Sequence, residues 1–106
     1  MTAATFTVLA EPSRRRILDL LRDRERSVGE LVAATQLSQP GVSKHLRVLR
    51  DAGLVAVRAD AQRRFYGLRP EPLAEVDAWL TPYRRLWSRR LDDLERHLDE
   101  QEDASS

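Results

Sequence analysis

The residues best placed to do chemistry stand in one run, Ser38-Gln39-Pro40-Gly41-Val42-Ser43-Lys44-His45-Leu46-Arg47. The run offers hydroxyls, an amide, an imidazole and two cations, but no carboxylate and no thiol. Such groups recognise a surface by hydrogen bonding and charge. Glutamine can pair bidentately with adenine, serine can contact several bases, and lysine or arginine can reach guanine or phosphate. A second polar cluster, Gln62-Arg63-Arg64, follows downstream. These residues predict contacts to double-stranded DNA from Ser38, Gln39, Pro40, Ser43, Lys44, His45, Arg47, Arg63 and Arg64. Catalysis has no comparable support, because the chain lacks a glycine-rich phosphate loop and a nucleophile elbow. His45 has no nucleophile or acid beside it in sequence, so it is read as a packing or phosphate-contacting residue.

Metal and redox chemistry are constrained in the same way. The 106 residues include no cysteine, which excludes disulfides, thiolate metal sites and thiol redox switching. Asp93, His97 and Glu100 do fall at three- and four-residue spacings. One imidazole among scattered carboxylates is a poor zinc site, and no cofactor is expected.

Composition and charge narrow the partner. A chain that is 42% hydrophobic and 33% charged, with few Gly and Pro, reads as a folded, helix-rich single domain spanning 1–106. The N-terminus lacks the pattern of a signal peptide and no long apolar run spans a membrane, so a cytoplasmic protein without membrane partners is expected. Net charge is only +1, but it is segregated. From Ser38 to Arg69 seven cations stand against two acids, a net +5, whereas from Asp92 to Ser106 seven acids stand against one cation, a net −6. A basic middle beside an acidic end suits a polyanion met by one face.

The elements that must position these residues follow from periodicity and punctuation. Ala4 to Ala10 is a short apolar segment interrupted by Glu11-Pro12, after which Ser13 is a cap candidate. Ile17, Leu18 and Leu21 then mark an amphipathic helix ending near Arg24. Ser27 and Glu30 form a Ser-x-x-Glu capping box for a helix from Val28 to Thr35. Gln36-Leu37 makes a tight turn, Ser38 caps a further helix with Pro40 in its first turn, and Gly53 stops it after Ala52. This is a helix-turn-helix over 28–52. At 100° per residue, Val42, Leu46 and Leu49 share one stripe and must face the core, which turns Gln39, Ser43, Lys44 and Arg47 outward. Two β-prone runs around Ala59-Asp60-Ala61-Gln62-Arg63 predict a two-stranded hairpin, the wing, over 54–68. Arg63, near its tip, is the preferred phosphate contact. The whole reads as mainly α with a small β-hairpin, a winged helix-turn-helix of order α-α-α-α-β-β-α. A protein-docking winged helix would need neither the polar helix tip nor the basic wing.

The chain resembles the ArsR-type regulators. Leu9-Ala10-Glu11-Pro12-Ser13-Arg14-Arg15-Arg16-Ile17-Leu18, Val28-Gly29-Glu30-Leu31, the segment from Leu37 to Leu49, and Ala52-Gly53-Leu54-Val55 match that family in order and spacing. The resemblance implies a homodimeric regulator, usually a repressor, with its recognition helix in the major groove. It also implies dimerisation through the first and last helices, here Phe6 and Leu9 together with the C-terminal segment. The arsenic-type site would need cysteines where this chain has Glu30-Leu31-Val32-Ala33-Ala34, so that switch is absent and the inducer is open.

The residues of the C-terminal segment agree. Leu73, Val76, Leu80, Tyr83, Trp87, Leu91 with Arg90 beside it, Leu94 and Leu98 follow three- and four-residue steps close to a coiled-coil seam, widened by Trp79 and Leu86. A dimerisation helix over 71–99 is expected, kinked or broken at Thr81-Pro82 and followed by an acidic tail at 100–106.

Overall fold

The computed structural model describes residues 3–105. The elements are α1 (Ala3–Leu9), α2 (Pro12–Leu20), β1 (Arg26–Ser27), α3 (Val28–Thr35), α4 (Gln39–Asp51), β2 (Val55–Asp60), β3 (Arg63–Leu68) and α5 (Leu73–Ser105). They fall into two units that divide after Glu75, the first holding everything up to the start of α5 and the second the remainder of that helix.

In the first unit one apolar core ties the helices to the sheet. Ile17, Leu31, Val42, Leu46, Leu49 and Leu54 are essentially sealed from solvent, with Tyr66, Leu68 and Leu73 packed at the margin. Each such side chain contributes about 1.5–3 kcal/mol when fully buried, so the six together fix how the helices lie.

Caps set the helix boundaries. The start of α2 differs from the expectation at Ser13: Pro12 takes the first helical position, and the Glu11 carboxylate accepts from the Arg14 N–H at 3.1 Å. The helix also ends earlier, at Leu20, because Leu21 turns into the core and the Arg26 Nε donates to the Leu20 carbonyl at 2.7 Å. The α3 box forms as its sequence pattern predicts, with the Glu30 N–H on Ser27 Oγ and the Ser27 N–H on Glu30 Oε1, both at 3.2 Å. That Ser27 N–H and, next, the Arg24 guanidinium 2.8 Å away hold the Glu30 carboxyl below its ordinary range. Ser38 caps α4 by accepting from the Gly41 N–H at 3.1 Å. At the other end Gly53 adopts φ +76°, its N–H reaching the Arg50 carbonyl and that of Leu54 the Leu49 carbonyl, both at 2.9 Å. This is a Schellman motif, sealed by the contact of two buried leucines.

Three consecutive arginines close other helix ends. Arg14 donates to the Val8 carbonyl at 2.8 Å, Arg15 to that of Leu9 at 2.8 Å, and Arg16 to those of Ala34 and Thr35 at 2.9 and 3.2 Å. Cations at helix C-termini satisfy orphan carbonyls and complement the helix dipole. Their run along α2 therefore docks α1 and the end of α3 onto it.

The sheet is antiparallel with order β1-β3-β2, three strands where two were expected. The extra strand is the pair Arg26–Ser27, matched with Tyr66 and Phe65, so the residue that caps α3 also anchors the wing. β2 and β3 run from Val55↔Leu68 out to Asp60↔Arg63, leaving only Ala61 and Gln62 as the turn.

In the second unit α5 is continuous through Pro82 rather than broken there, and the expected tail is helical to Ser105. Beside the proline, the Thr81 hydroxyl and the Arg84 guanidinium both donate to the Asp77 carbonyl, at 3.3 and 2.7 Å. The carbonyl that Pro82 leaves without its helical donor is the next one, that of Ala78, and the helix runs on through it.

Two measurements test these caps. Gly53→Ala lowers stability by about 1–2 kcal/mol, since a Cβ at that φ is strained although it would meet only Pro72 Cγ at an ordinary 3.7 Å, whereas Gln36→Gly, at a left-handed φ of +63°, raises it by about 0.5 kcal/mol. Glu30→Gln lowers the thermal midpoint at pH 7. Because the folded-state pKa is depressed, the gap to wild type is full above the ordinary 4.5 and closes as pH falls below it.

Candidate nucleic-acid interface

The apolar stripe of α4 fixes its rotation. With Val42, Leu46 and Leu49 buried, Gln39, Pro40, Ser43, Lys44, Arg47 and Arg50 are exposed. Ser38, also exposed, spends its hydroxyl on the cap. His45 stands apart from the other predicted residues. Its side chain is only 20% exposed, with Nε2 4.0 Å from Glu11 Oε2 and a buried Nδ1 without a hydrogen-bond partner. It packs against the start of α2, the first of the two roles its sequence position suggested.

The strand register decides what the wing presents. Alternate residues of β3 point to opposite faces. Tyr66 and Leu68 pack toward the core, so Arg64 shares their face, while Arg63 shares the other with Phe65 and Gly67. On that other face Arg58 lies 5.0 Å from the Phe65 ring centroid and pairs with Glu25 at 3.2 Å. Arg64 enters a cleft of about 280 Å³ between α4 and the sheet, lined also by Ser43, Arg47, Arg50, Asp51 and Tyr66. Arg63 and Gln62, with Arg64, line a broader hollow against Ser27, Gly29 and Glu30 at the start of α3.

The structure thus brings Ser43, Arg47 and Arg64 together and sets Arg63 at the wing tip. It adds two residues that the sequence reading did not single out, Arg50 and Tyr66. Both carry a periodic signal: Arg50 is one turn beyond Arg47, and Tyr66 is two residues beyond Arg64 on the same strand face.

Most arginines of the first unit are either tied into the fold or exposed on the face of α4 and the wing, Arg22 and Arg69 being the two that are neither. Arg14, Arg15, Arg16, Arg24, Arg26 and Arg58 are held by carbonyls or carboxylates of the fold. Among the described residues, the side chains of Lys44, Arg47, Arg50, Arg63 and Arg64 make no ion pair or hydrogen bond, and Asp51 is the one carboxylate lining the α4 cleft. Cations left unpaired on one face create the positive potential that a polyanion meets.

The residues predicted for a dimer contact lie elsewhere. In α1, Phe6 is 36% exposed and Leu9 is half-buried against the core. On α5, Leu80 is half-buried, and Tyr83, Trp87, Leu91, Leu94 and Leu98 are between 45% and 64% exposed. Trp79 and Tyr83 hold a tilted ring contact at 4.9 Å. Among the described residues no three His, Asp or Glu side chains converge as a metal site, and no helix is long and apolar enough to cross a membrane.

Comparison with known proteins identifies the family. A profile of the bacterial regulatory proteins of the arsR family matches residues 11–57. An HTH-type transcriptional regulator of Mycobacterium tuberculosis is 39% identical over 98 residues, covering 92% of this chain and 89% of that protein. The transcriptional repressor SdpR of Bacillus subtilis is 29% identical over 75 residues, 71% of this chain and 83% of SdpR. Among solved structures, the homodimeric winged helix-turn-helix DNA-binding domain of a possible ArsR-family regulator from Mycobacterium bovis superposes with a TM-score of 0.64 at 31% identity, covering 78% of this chain and 77% of that one. The chain therefore belongs to the arsR family of bacterial regulatory proteins, DNA-binding transcriptional regulators built on a winged helix-turn-helix, and is not an enzyme.

Proposed function

We propose that this chain is a cytoplasmic repressor that binds an inverted-repeat operator as a homodimer, each copy acting as one winged helix-turn-helix domain. The observation that carries the reading is the set of unpaired cations on the outward face of α4 and the wing, in a chain whose other arginines of the first unit are largely tied into the fold. The N-terminal half of α4, with Ser38, Gln39, Pro40, Ser43 and Lys44, enters the major groove, the serine through its cap and the others through their side chains. Arg47, Arg50 and Arg64 converge on the flanking phosphates, and Arg63 takes a phosphate at the wing tip. His45 acts through Glu11, holding the angle of α4 rather than reading bases. Phe6 and Leu9 of α1 and the apolar face of α5 from Leu80 to Leu98 join the two copies, a role supported by their exposure and by the homodimeric M. bovis relative.

Fluorescence polarisation with duplex from upstream of the protein's own gene tests the first claim. Affinity falls steeply as salt rises, and a chain that binds no duplex in a salt-dependent way is not this regulator. Arg47→Ala or Arg64→Ala weakens binding by about 1–3 kcal/mol, or lowers the salt slope by about one where the contact is to phosphate, with the melting temperature little changed. Footprinting shows two protected half-sites about one helical turn apart; a single unrepeated site argues against the dimeric reading. Trp87→Ala shifts the dimer toward monomer in light scattering, and a variant that stays a full dimer removes that residue from the interface.

A further inference from the structure

We propose that the hollow between the α2–β1 loop and the face of the sheet turned away from α4 binds a small organic phosphate, with Arg22 and Arg69 holding the phosphate group. The site is separate from the DNA-binding surface proposed above and does not depend on it.

The hollow has a volume of about 420 Å³. One wall is the loop over residues 22–25, and the other is Ala56 and Arg58 of β2 with Gly67 of β3. Strand alternation points these three residues away from the face on which Arg64 and Tyr66 meet α4. The Ala56–Gly67 pair also lies four positions, about 13 Å, from the Asp60–Arg63 pair at the wing tip. A duplex seated on α4 and the tip leaves the hollow open.

Both walls are held without a ligand. Leu21, at the head of the loop, is buried in the core, and the bond from Arg26 Nε to the Leu20 carbonyl ties down the far end. At Gly67 a Cβ would come within 3.2 Å of Glu25 Cγ, so the loop lies against the sheet where the glycine leaves room. A preformed hollow of this volume is in the range of small-molecule sites.

Its charge selects the ligand. Arg22, Arg24, Arg58 and Arg69 line it against Asp23 and Glu25, an excess of two cations. Both acids are already met, Glu25 by Arg58 at 3.2 Å and Asp23 by Arg26 at 3.6 Å. Arg24 pairs outside the hollow, with Glu30 at 2.8 Å. Arg22 and Arg69 remain, and among the described residues their side chains make no ion pair or hydrogen bond. They are the two arginines of the first unit that neither brace the fold nor stand on the face of α4 and the wing, and both line this one hollow. Two unpartnered guanidiniums suit a dianion, and a phosphate monoester carries its charge on three oxygens that two guanidinium forks can share. The apolar lining from Leu21, Ala56 and Leu68 receives the organic body.

Calorimetric titration of the full chain at low ionic strength tests the site, with phenyl phosphate, inorganic phosphate and benzoate as probes. Phenyl phosphate binds more tightly than either of the others, since inorganic phosphate lacks the apolar body and benzoate the second charge. Arg22→Ala and Arg69→Ala each weaken phenyl phosphate about tenfold, and neither changes the melting temperature or the affinity for duplex. Arg47→Ala, in the α4 cleft, leaves phenyl phosphate binding as it was. Failure of phenyl phosphate to bind overturns the proposal, and so does binding that is lost in Arg47→Ala but kept in the Arg22→Ala/Arg69→Ala double variant, which places the anion in the α4 cleft. Loss of duplex affinity in that double variant overturns it as well, by making the two arginines DNA contacts. Benzoate binding as tightly as phenyl phosphate overturns the assignment to phosphate.

Discussion

The rotation of α4 about its own axis is the constraint on which the rest of the structure depends. Burial of Val42, Leu46 and Leu49 sets that rotation, and at 100° per residue it also sets which side chains face outward. A rotation by one residue would bring Arg47 and Arg50 toward the core, where an unpaired charge is costly, and would expose leucines. Position along the axis is held separately. The Ser38 cap fixes the start, the Gly53 motif fixes the end, and the Leu54 that follows is itself part of the core. The outward row of Gln39, Ser43, Lys44, Arg47 and Arg50 is therefore a consequence of core packing, placed by residues that never meet a ligand.

Arginine works on both sides of that division. The planar guanidinium carries several donors and keeps its charge, so it can close a helix end as well as meet a phosphate. On α2, Arg14, Arg15 and Arg16 close the ends of α1 and α3, and the Arg16 contacts at Ala34 and Thr35 fall immediately before the turn into α4. The support of the recognition helix thus uses the same residue type as the surface it presents. The two uses are separated by an available carbonyl or carboxylate of the fold together with position on the outward face of α4 and the wing. A count of basic residues would have merged them.

Much of this was legible in the sequence because the signals are local. The α3 bounds follow from the Ser27–Glu30 box, and those of α4 from Ser38, Pro40 and Gly53, groups that meet within a turn of one another. The misses share a cause of the opposite kind. β1 is two residues long and exists only through its pairing with Tyr66 and Phe65, nearly forty positions away. The placement of Arg63 and Arg64 on opposite sheet faces depends on a register in which one residue of slip exchanges the two. Arg50 joins the α4 cleft only because β3 lies beside that helix. At Pro82 the rule that proline ends a helix does not hold: α5 runs through the ring, which deprives the Ala78 carbonyl alone of its helical donor. The α2 cap moved to Glu11 because Pro12 suits the first helical position so well.

Backbone strain marks the same surface. Among the described residues the non-glycine positions with positive φ are Gln36 at +63° and Ala61 at +56°. One forms the turn between α3 and α4, and the other opens the two-residue turn at the tip of the wing. Each costs of order 1 kcal/mol relative to an unstrained residue, so neighbouring contacts must hold it. At Gln36 they are visible: its N–H reaches the Val32 carbonyl at 2.9 Å, and the buried Thr35 hydroxyl donates to the Leu31 carbonyl at 2.7 Å and accepts from the Leu37 N–H at 3.3 Å. That hydroxyl spans the turn from within and commits the chain to the direction α4 takes. At Ala61 the support is the strand ladder, since Asp60 pairs with Arg63 directly across the turn. The two tight turns that aim the helix and the wing are therefore the places where local preference yields to the packing around them.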